Sequence, residues 1–426
     1  MLVPFFVPLI GFADTHEEPT LFAPHAILID IETGTILYDK NAHEKTFPAS
    51  TTKVMTALIV LETLDLDEVI HVDYKPSVGG SSMFIQPGES FTVYELLQAF
   101  LIRSANDAGE VFAKHISGTV PEFAKLMNER AAQLGALNTN FVNPHGMPNQ
   151  NHVTTAYDLA VIAREAMQHE VFRDLVMTRN VSIPATGITP QRTYENTNRM
   201  LWAKGPRYQM NYKGQSVDIH YDPMNGIKTG YTNASRNCFI GSASFENDDF
   251  IAVVLNAHWR EEMYSDARAL MEYGSQNFHR INLAEAGTVE TTIPVVRGNI
   301  AEMALLSDRS LSFILPHNIL SSDIQKEITL TVPELTGPVE AGTELGQIAY
   351  YHNQVLLGET RLISRDSVEI LPVAQRFPMS YYIIIIAVML LISWQIYVFK
   401  IRRRRLKAYW HRRSLHYQQF KSSELQ

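Results

Sequence analysis

In the stretch FPASTTKVMTALIVLE, a proline and several small hydroxyl residues give way to an apolar run with helical spacing, and Ser50 and Lys53 stand three apart at the switch. Three residues are close to one helical turn, so both side chains can face the same cleft. One reading is plain: Ser50 caps the helix and Lys53 snorkels past apolar neighbours to water. The other is chemical. A serine hydroxyl becomes a useful nucleophile only when a base takes its proton, and a lysine serves as that base only when it is uncharged. By chance a Ser-x-x-Lys pair occurs about once or twice in a chain of this length, so the pair alone favours the cap.

Two further segments change the balance. LIRSANDAGE places Ser104 and Asn106 where one helical pattern ends and another begins, and GIKTGYT places Lys228 and Thr229 on a strand before Gly230. A glycine there lets a ligand approach the backbone closely. Each segment has an ordinary reading, as a Ser/Asn helix cap and as a basic residue on a strand edge. Their joint occurrence has none. Ser-x-x-Lys on a helix, Ser-x-Asn between helices and Lys-Thr-Gly on a strand, in that order, form the set used by penicillin-recognising serine enzymes. In such a site a buried Lys53 near a second positive charge loses its proton, and Lys228 supplies that charge while attracting a substrate carboxylate. Ser104 is placed to pass a proton to the leaving amine and Asn106 to hold a substrate amide.

These residues need a scaffold. HAILIDIETGTILYDKNAHEKTFPAS reads as two strands leading into the Ser50 helix. TVYELLQAFLIRS, VPEFAKLMNERAAQLG and TTAYDLAVIAREAMQHE carry apolar stripes at helical spacing. Strands return in GIKTGYT, NCFIGSASFE and DFIAVVLNA, separated by turn residues. Strands at both ends with helices between predict one sheet, built from the first and last segments, with a helical lobe against it and Ser50 on the seam. A break falls near residue 285. From 287 to 373 short alternating strands with Gly, Pro and Asn between them predict a small all-β sandwich without catalytic groups.

The ends of the chain carry a second message. YYIIIIAVMLLISWQIYVF, 381–399, contains no charge and is followed by KIRRRR. Nineteen helical residues reach about 28 Å, close to one bilayer core, and the aromatic residues near both ends fit membrane interfaces. From Lys400 onwards there are nine basic residues and one acid, against 27 basic and 44 acidic residues before it. A single membrane helix is therefore expected, with the 400–426 tail in the cytoplasm and the rest outside. Export calls for an N-terminal signal, expected over 1–13, where LVPFFVPLIGF precedes a small-x-small site, though no basic residue stands before it. One cysteine, Cys238, excludes an intramolecular disulfide framework, and the 15 histidines form no His-Glu-x-x-His or His-x-His pattern. No metal, cofactor or nucleic-acid partner is expected.

Beyond the three motifs, long stretches resemble the D-alanyl-D-alanine carboxypeptidases, the low-molecular-mass penicillin-binding proteins. ILIDIETGTILYDKNAHEKTFPASTTKVMTALIVLE is similar to that family's approach to its nucleophile, SANDAGEVFAKHISGTVPEFAKLMNERAAQLG and TNFVNPHGMPNQNHVTTAYDLAVIAREA to its helical lobe, and GIKTGYTNASRNCFIGSA to its active-site hairpin. The resemblance covers about 22–400. It implies an α/β (α+β) penicillin-binding/β-lactamase-like transpeptidase fold over 22–284, then the β-sandwich and the membrane helix. It implies Ser50 as acyl-ester nucleophile, Lys53 as base and Ser104 as proton relay, with Asn106, Lys228, Thr229, Gly230 and Tyr231 binding substrate. The backbone N–H groups of Ser50 and Tyr231 would form the oxyanion hole. The implied partners are peptidoglycan stem peptides ending in D-Ala-D-Ala, β-lactams as covalent inhibitors, and the bilayer. Where the family commonly has a carboxylate-binding arginine this chain has Met263, with Arg260 three residues upstream. A DD-endopeptidase or transpeptidase is the alternative. A β-lactamase would show a Glu-x-x-Leu-Asn segment, which is not found, and a membrane penicillin sensor needs more than the 27 residues after Phe399.

Overall fold

The computed structural model describes residues 18–246, 248–369 and 379–423. The expected signal segment 1–13, residues 370–373 at the end of the expected β-domain and the last three residues of the tail lie outside that range. By contacts the chain forms two units: one comprises residues up to Ala284 with Ser310–Lys326 and Ala349–Glu359, the other the remaining segments from Glu285 onwards.

The first unit is built on a five-stranded sheet in the order Ile36–Lys40, His25–Asp30, Asp249–Ala257, Arg236–Ser244, Met224–Thr232. The first strand of the unit, His25–Asp30, thus pairs with Asp249–Ala257, with Ile29 opposite Ile251 and Ile27 opposite Val253. Both faces are apolar, and alternate residues serve different cores. Ile251, Val253 and Leu255 face the helical lobe, while Phe250, Ala252 and Val254 face the opposite core with the helix Arg260–Asn277. Period-two side-chain direction is the cause. The lobe is made of Lys53–Thr63, Val93–Gln98, Asn106–Ser117, Val120–Gln133, Ala156–Ala166 and Glu170–Met177. Lys53–Thr63 is buried from Lys53 to Val60, so it is the central helix and carries no polar face over that stretch.

One tie holds the lobe's outer hairpin. Glu89, fully buried, accepts hydrogen bonds from Arg192 at 2.8 Å, Thr186 at 2.6 Å and the Gln86 N–H at 2.7 Å. Phe278–Ala284 pairs antiparallel with Leu311–Pro316, so β structure resumes before residue 287, where the change of texture is placed in the sequence. In the second unit Val289–Pro294 pairs with Glu302–Ser307, which continues onto Leu362, Ile363 and Ser364.

The C-terminal helix runs unbroken from Met379 to Ser423. The apolar span 381–399 and most of the basic tail are therefore one helix. No glycine or proline interrupts those residues, and at about 1.5 Å per residue the apolar part alone matches a bilayer core. Its apolar side chains are exposed rather than packed into a core.

Candidate active site

Ser50 lies in a 3-10 turn, Ala49–Thr52, immediately before the Lys53 helix. Its hydroxyl caps no helix N–H. Its contacts are Lys53 Nζ at 3.1 Å and the His145 carbonyl at 3.5 Å. The turn needs Ala49 at a φ of +48°, which costs energy in a residue with a Cβ. Thr52 Oγ1 donates to the Ala49 carbonyl at 2.8 Å and meets His152 Nε2 at 2.8 Å. His152 Nδ1 accepts the Val142 N–H, so its proton sits on Nε2 and points at Thr52. Burial pushes the His152 pKa down to about 4, which keeps this ring neutral. Gly146 closes the other side: a Cβ there would stand 1.7 Å from the Ala49 oxygen, and its φ is +84°. Only glycine lets the 143–147 loop come this close.

Lys53 is wholly buried. Its Nζ lies 2.6 Å from Asn106 Oδ1, 2.9 Å from the His145 carbonyl and 3.1 Å from Ser50 Oγ. Burial first, and then the Lys228 ammonium, push its pKa well below the ordinary lysine value, with the Asp107 carboxylate opposing them. A neutral amine has two hydrogens and one lone pair. Asn106 Oδ1 and the His145 carbonyl can only accept, so they take both hydrogens. The lone pair is then left facing Ser50, whose O–H can donate to it. The same burial, then the Lys53 charge, pushes His145 down to about 3, so its ring brings no competing cation.

The strand Met224–Thr232 forms the facing wall. Gly230 packs against the Ser50 turn so closely that a Cβ would lie 2.9 Å from the Ser50 nitrogen. That N–H has no protein partner among the described residues. Thr229 Oγ1 donates to Thr197 Oγ1 at 2.8 Å. Lys228 is 1% exposed, its Nζ donates to the Thr229 carbonyl at 3.0 Å, and burial pushes its pKa down to about 7. It stands behind the cleft surface, where its charge acts on Lys53.

Ser104 ends a one-turn π-helix, Ala99–Arg103, with a φ of +64°, and Asn106 opens the next helix. The irregular backbone turns Ser104 into the cleft. Asn106, expected to hold a substrate amide, accepts from Lys53 with Oδ1 and donates to the Gly79 carbonyl with Nδ2 at 2.6 Å, which leaves the second Nδ2 hydrogen for a further acceptor. Asp107 secures the same loop by accepting from Ser82 Oγ, Met83 N–H and Ile85 N–H.

The structure thus gathers Ser50, Ser104, Thr229, Gly230 and Tyr231 on one cleft of about 820 Å³. Lys53, Asn106 and Lys228 form the layer beneath. Sequence reasoning missed the His145 carbonyl, Gly146, His152 and Thr197. Only the turn pattern Asn-Pro-His-Gly offered a signal for the first two. Met263 lines the cleft and is buried, and Arg260 lines it too, joined by Arg103 and Arg199. Among the described residues no group of three or more His, Cys, Asp and Glu is placed to hold a metal ion.

Comparison with known proteins adds an independent result. A family profile described as D-alanyl-D-alanine carboxypeptidase matches residues 13–259, and one described as penicillin-binding protein 5, C-terminal domain, matches 278–370. D-alanyl-D-alanine carboxypeptidase DacF of Bacillus subtilis is 30% identical over 353 residues, covering 82% of this chain and 86% of that protein. DacC of Escherichia coli is 29% identical over 377 residues, covering 85% and 89%. Among solved structures, penicillin-binding protein 6B from Escherichia coli superposes with a TM-score of 0.62 at 26% identity, covering 84% of this chain and 99% of that one. Penicillin-binding protein 5 from Haemophilus influenzae gives 0.67 at 23% identity, covering 83% and 99%, and supports the fold.

Proposed function

This chain belongs to the D-alanyl-D-alanine carboxypeptidase family, and from that premise we propose that it removes the terminal D-alanine from peptidoglycan stem pentapeptides through a Ser50 acyl-enzyme. The observation that carries the mechanism is the Lys53 amine, buried, with two obligate acceptors at 2.6 and 2.9 Å and Ser50 Oγ at 3.1 Å. Neutral Lys53 takes the Ser50 proton as Oγ attacks the carbonyl of the penultimate D-alanine. The N–H groups of Ser50 and Tyr231 receive the developing oxyanion. As the C–N bond breaks, Ser104 passes a proton towards the departing amine of D-alanine. Water then attacks the ester and restores Ser50. Asn106 serves this sequence by holding Lys53, and Lys228 by disfavouring a second charge beside it. A β-lactam would acylate the same hydroxyl.

The β-rich segment 287–373, which follows the catalytic domain 22–284 along the chain, acts as a spacer, and the C-terminal helix associates the protein with a membrane. The arginines after Phe399 favour a cytoplasmic tail and an extracytoplasmic catalytic domain. A DD-transpeptidase or endopeptidase shares the acyl-enzyme and differs in the acceptor or in the bond cleaved.

The test is to incubate the purified protein with a pentapeptide ending in D-Ala-D-Ala and to follow free D-alanine, alongside intact mass after penicillin treatment. D-alanine release and a penicillin adduct, both lost in Ser50→Ala, are expected. Adduct formation without D-alanine release would refute the carboxypeptidase reading, and an adduct surviving in Ser50→Ala would refute the nucleophile.

A further inference from the structure

The charges on the cleft wall do not balance. Arg103, Arg199 and Arg260 line it, and Glu195 is the one carboxylate among its lining residues. That carboxylate is paired with Arg179, at 3.6 Å. The guanidinium groups of Arg103, Arg199 and Arg260 make no ion pair or hydrogen bond among the described residues. Other partly buried arginines are paired: Arg130 with Glu62 and Glu165, Arg192 with Glu89, Arg280 with Asp30. Withdrawing a guanidinium from water without a partner is costly, and its planar fork is suited to carboxylates. Arg103 and Arg199 are partly buried in this way and Arg260 is exposed, and three unpaired guanidinium groups on one wall mark a site for anions.

The three fall into two places. The Arg199 backbone N–H donates to the Tyr264 hydroxyl at 3.3 Å, Tyr264 donates to the Thr197 carbonyl at 3.4 Å, and the Thr197 hydroxyl accepts from Thr229. The Tyr264 phenol also feels the charge of Arg260. Arg199 and Arg260 therefore belong to the Thr229 end, where the carboxylate of the leaving D-alanine is held. Arg103 belongs elsewhere: it directly precedes Ser104, its Nε is buried without a partner, and its guanidinium lies 5.9 Å from the centre of the Tyr194 ring. The terminal carboxylate is a single group and occupies one place. A cleft of about 820 Å³ has room for more than two alanines.

We infer that Arg103 receives a second carboxylate, carried on the side chain of the residue that precedes the two D-alanines, so that the cleft selects stem peptides acidic at that position over those that are cationic there. This rests on the carboxypeptidase reading above and names its substrate class. The chemistry is charge-assisted pairing of a guanidinium with a carboxylate, with the Tyr194 ring supporting the guanidinium from one face. An ammonium at the same place would meet a cation, and the one carboxylate on the wall, Glu195, is already paired with Arg179.

The test uses three acetylated peptides X-D-Ala-D-Ala in which X is 2-aminoadipate, norleucine or lysine, matched in length and differing in charge. The wild-type protein is expected to prefer aminoadipate over lysine by about tenfold in kcat/KM, with norleucine between, and the ratio should shrink as salt rises. Arg103→Gln should bring the aminoadipate-to-lysine ratio close to one, mainly through KM, and Arg103→Lys should keep the order. Equal turnover of the three peptides by the wild type overturns the inference. So does a ratio unchanged in Arg103→Gln, or an equal loss on all three peptides, which would make Arg103 a support for Ser104. If Arg103→Gln does not fold, the wild-type order and its salt dependence decide alone. D-alanine released from none of the peptides by the wild type refutes the carboxypeptidase reading instead, which keeps the two failures distinct.

Discussion

Replacing Asn106 with aspartate tests the lone-pair arrangement with almost no change of shape. Asn106 Oδ1 lies 2.6 Å from Lys53 Nζ, so a carboxylate there sets a full negative charge against the amine. At an effective dielectric of about 20, two unit charges at that distance attract by about 6 kcal/mol. Charge spread over two oxygens, and the lost hydrogen bond from Nδ2 to Gly79, reduce the useful part. Even about 2 kcal/mol shifts the amine's protonation equilibrium about thirtyfold towards the charged form. Penicillin acylation of Asn106→Asp at neutral pH should therefore fall, by up to about thirtyfold from this shift, and recover as pH rises, because the variant holds the Lys53 proton more tightly. Asn106→Ala removes the acceptor without adding charge and should lose activity without the alkaline shift. The assay is the rate of adduct formation by intact mass from pH 6 to 10, with thermal melting as a check on folding. A folded Asn106→Asp protein with the wild-type rate and pH profile would refute the neutral-lysine mechanism.

Lys53→Arg keeps the charge but cannot be deprotonated, so penicillin acylation should drop about 10²- to 10⁴-fold while the fold persists; a near-normal rate by intact mass would refute the base assignment. Gly146→Ala drives a Cβ to within 1.7 Å of the Ala49 oxygen, and should cost about 3 kcal/mol or more in denaturant melts and slow acylation. Arg192→Met leaves the fully buried Glu89 carboxylate without its cation, at a cost of about 3–5 kcal/mol. Burial pushes the Glu89 pKa up, but bonds from Arg192, Thr186, Thr189 and Gln86 outweigh it and hold the carboxyl below the usual range. The stabilisation is therefore present above the ordinary carboxylate pKa and lost as pH falls through the depressed one. The melting difference from wild type should narrow below about pH 4, and a constant difference would show the loss to be packing alone.

What the sequence determined by itself was whatever rests on residue type and short-range spacing. Ser50 and Lys53 fall one turn apart because of local helical geometry, and Ser104 with Asn106 and Lys228 with Thr229 stand in two further short motifs whose order is visible along the chain. The apolar run 381–399 and its arginines are equally local, and the unbroken apolar run in Asp249–Ala257 already marks a strand. Whatever depends on what folds back against these segments was not legible. The His145 carbonyl reaches Lys53 across 92 positions. The need for glycine at 146 arises only because that loop meets the Ala49 oxygen. Asn106 bonds to Lys53 and Gly79, Lys228 is covered, and the Arg103 guanidinium has no hydrogen-bonding partner among the described residues. A motif specifies which groups are present. Their protonation, exposure and hydrogen-bond direction are set by neighbours brought in by packing, and those neighbours have no fixed spacing in the chain.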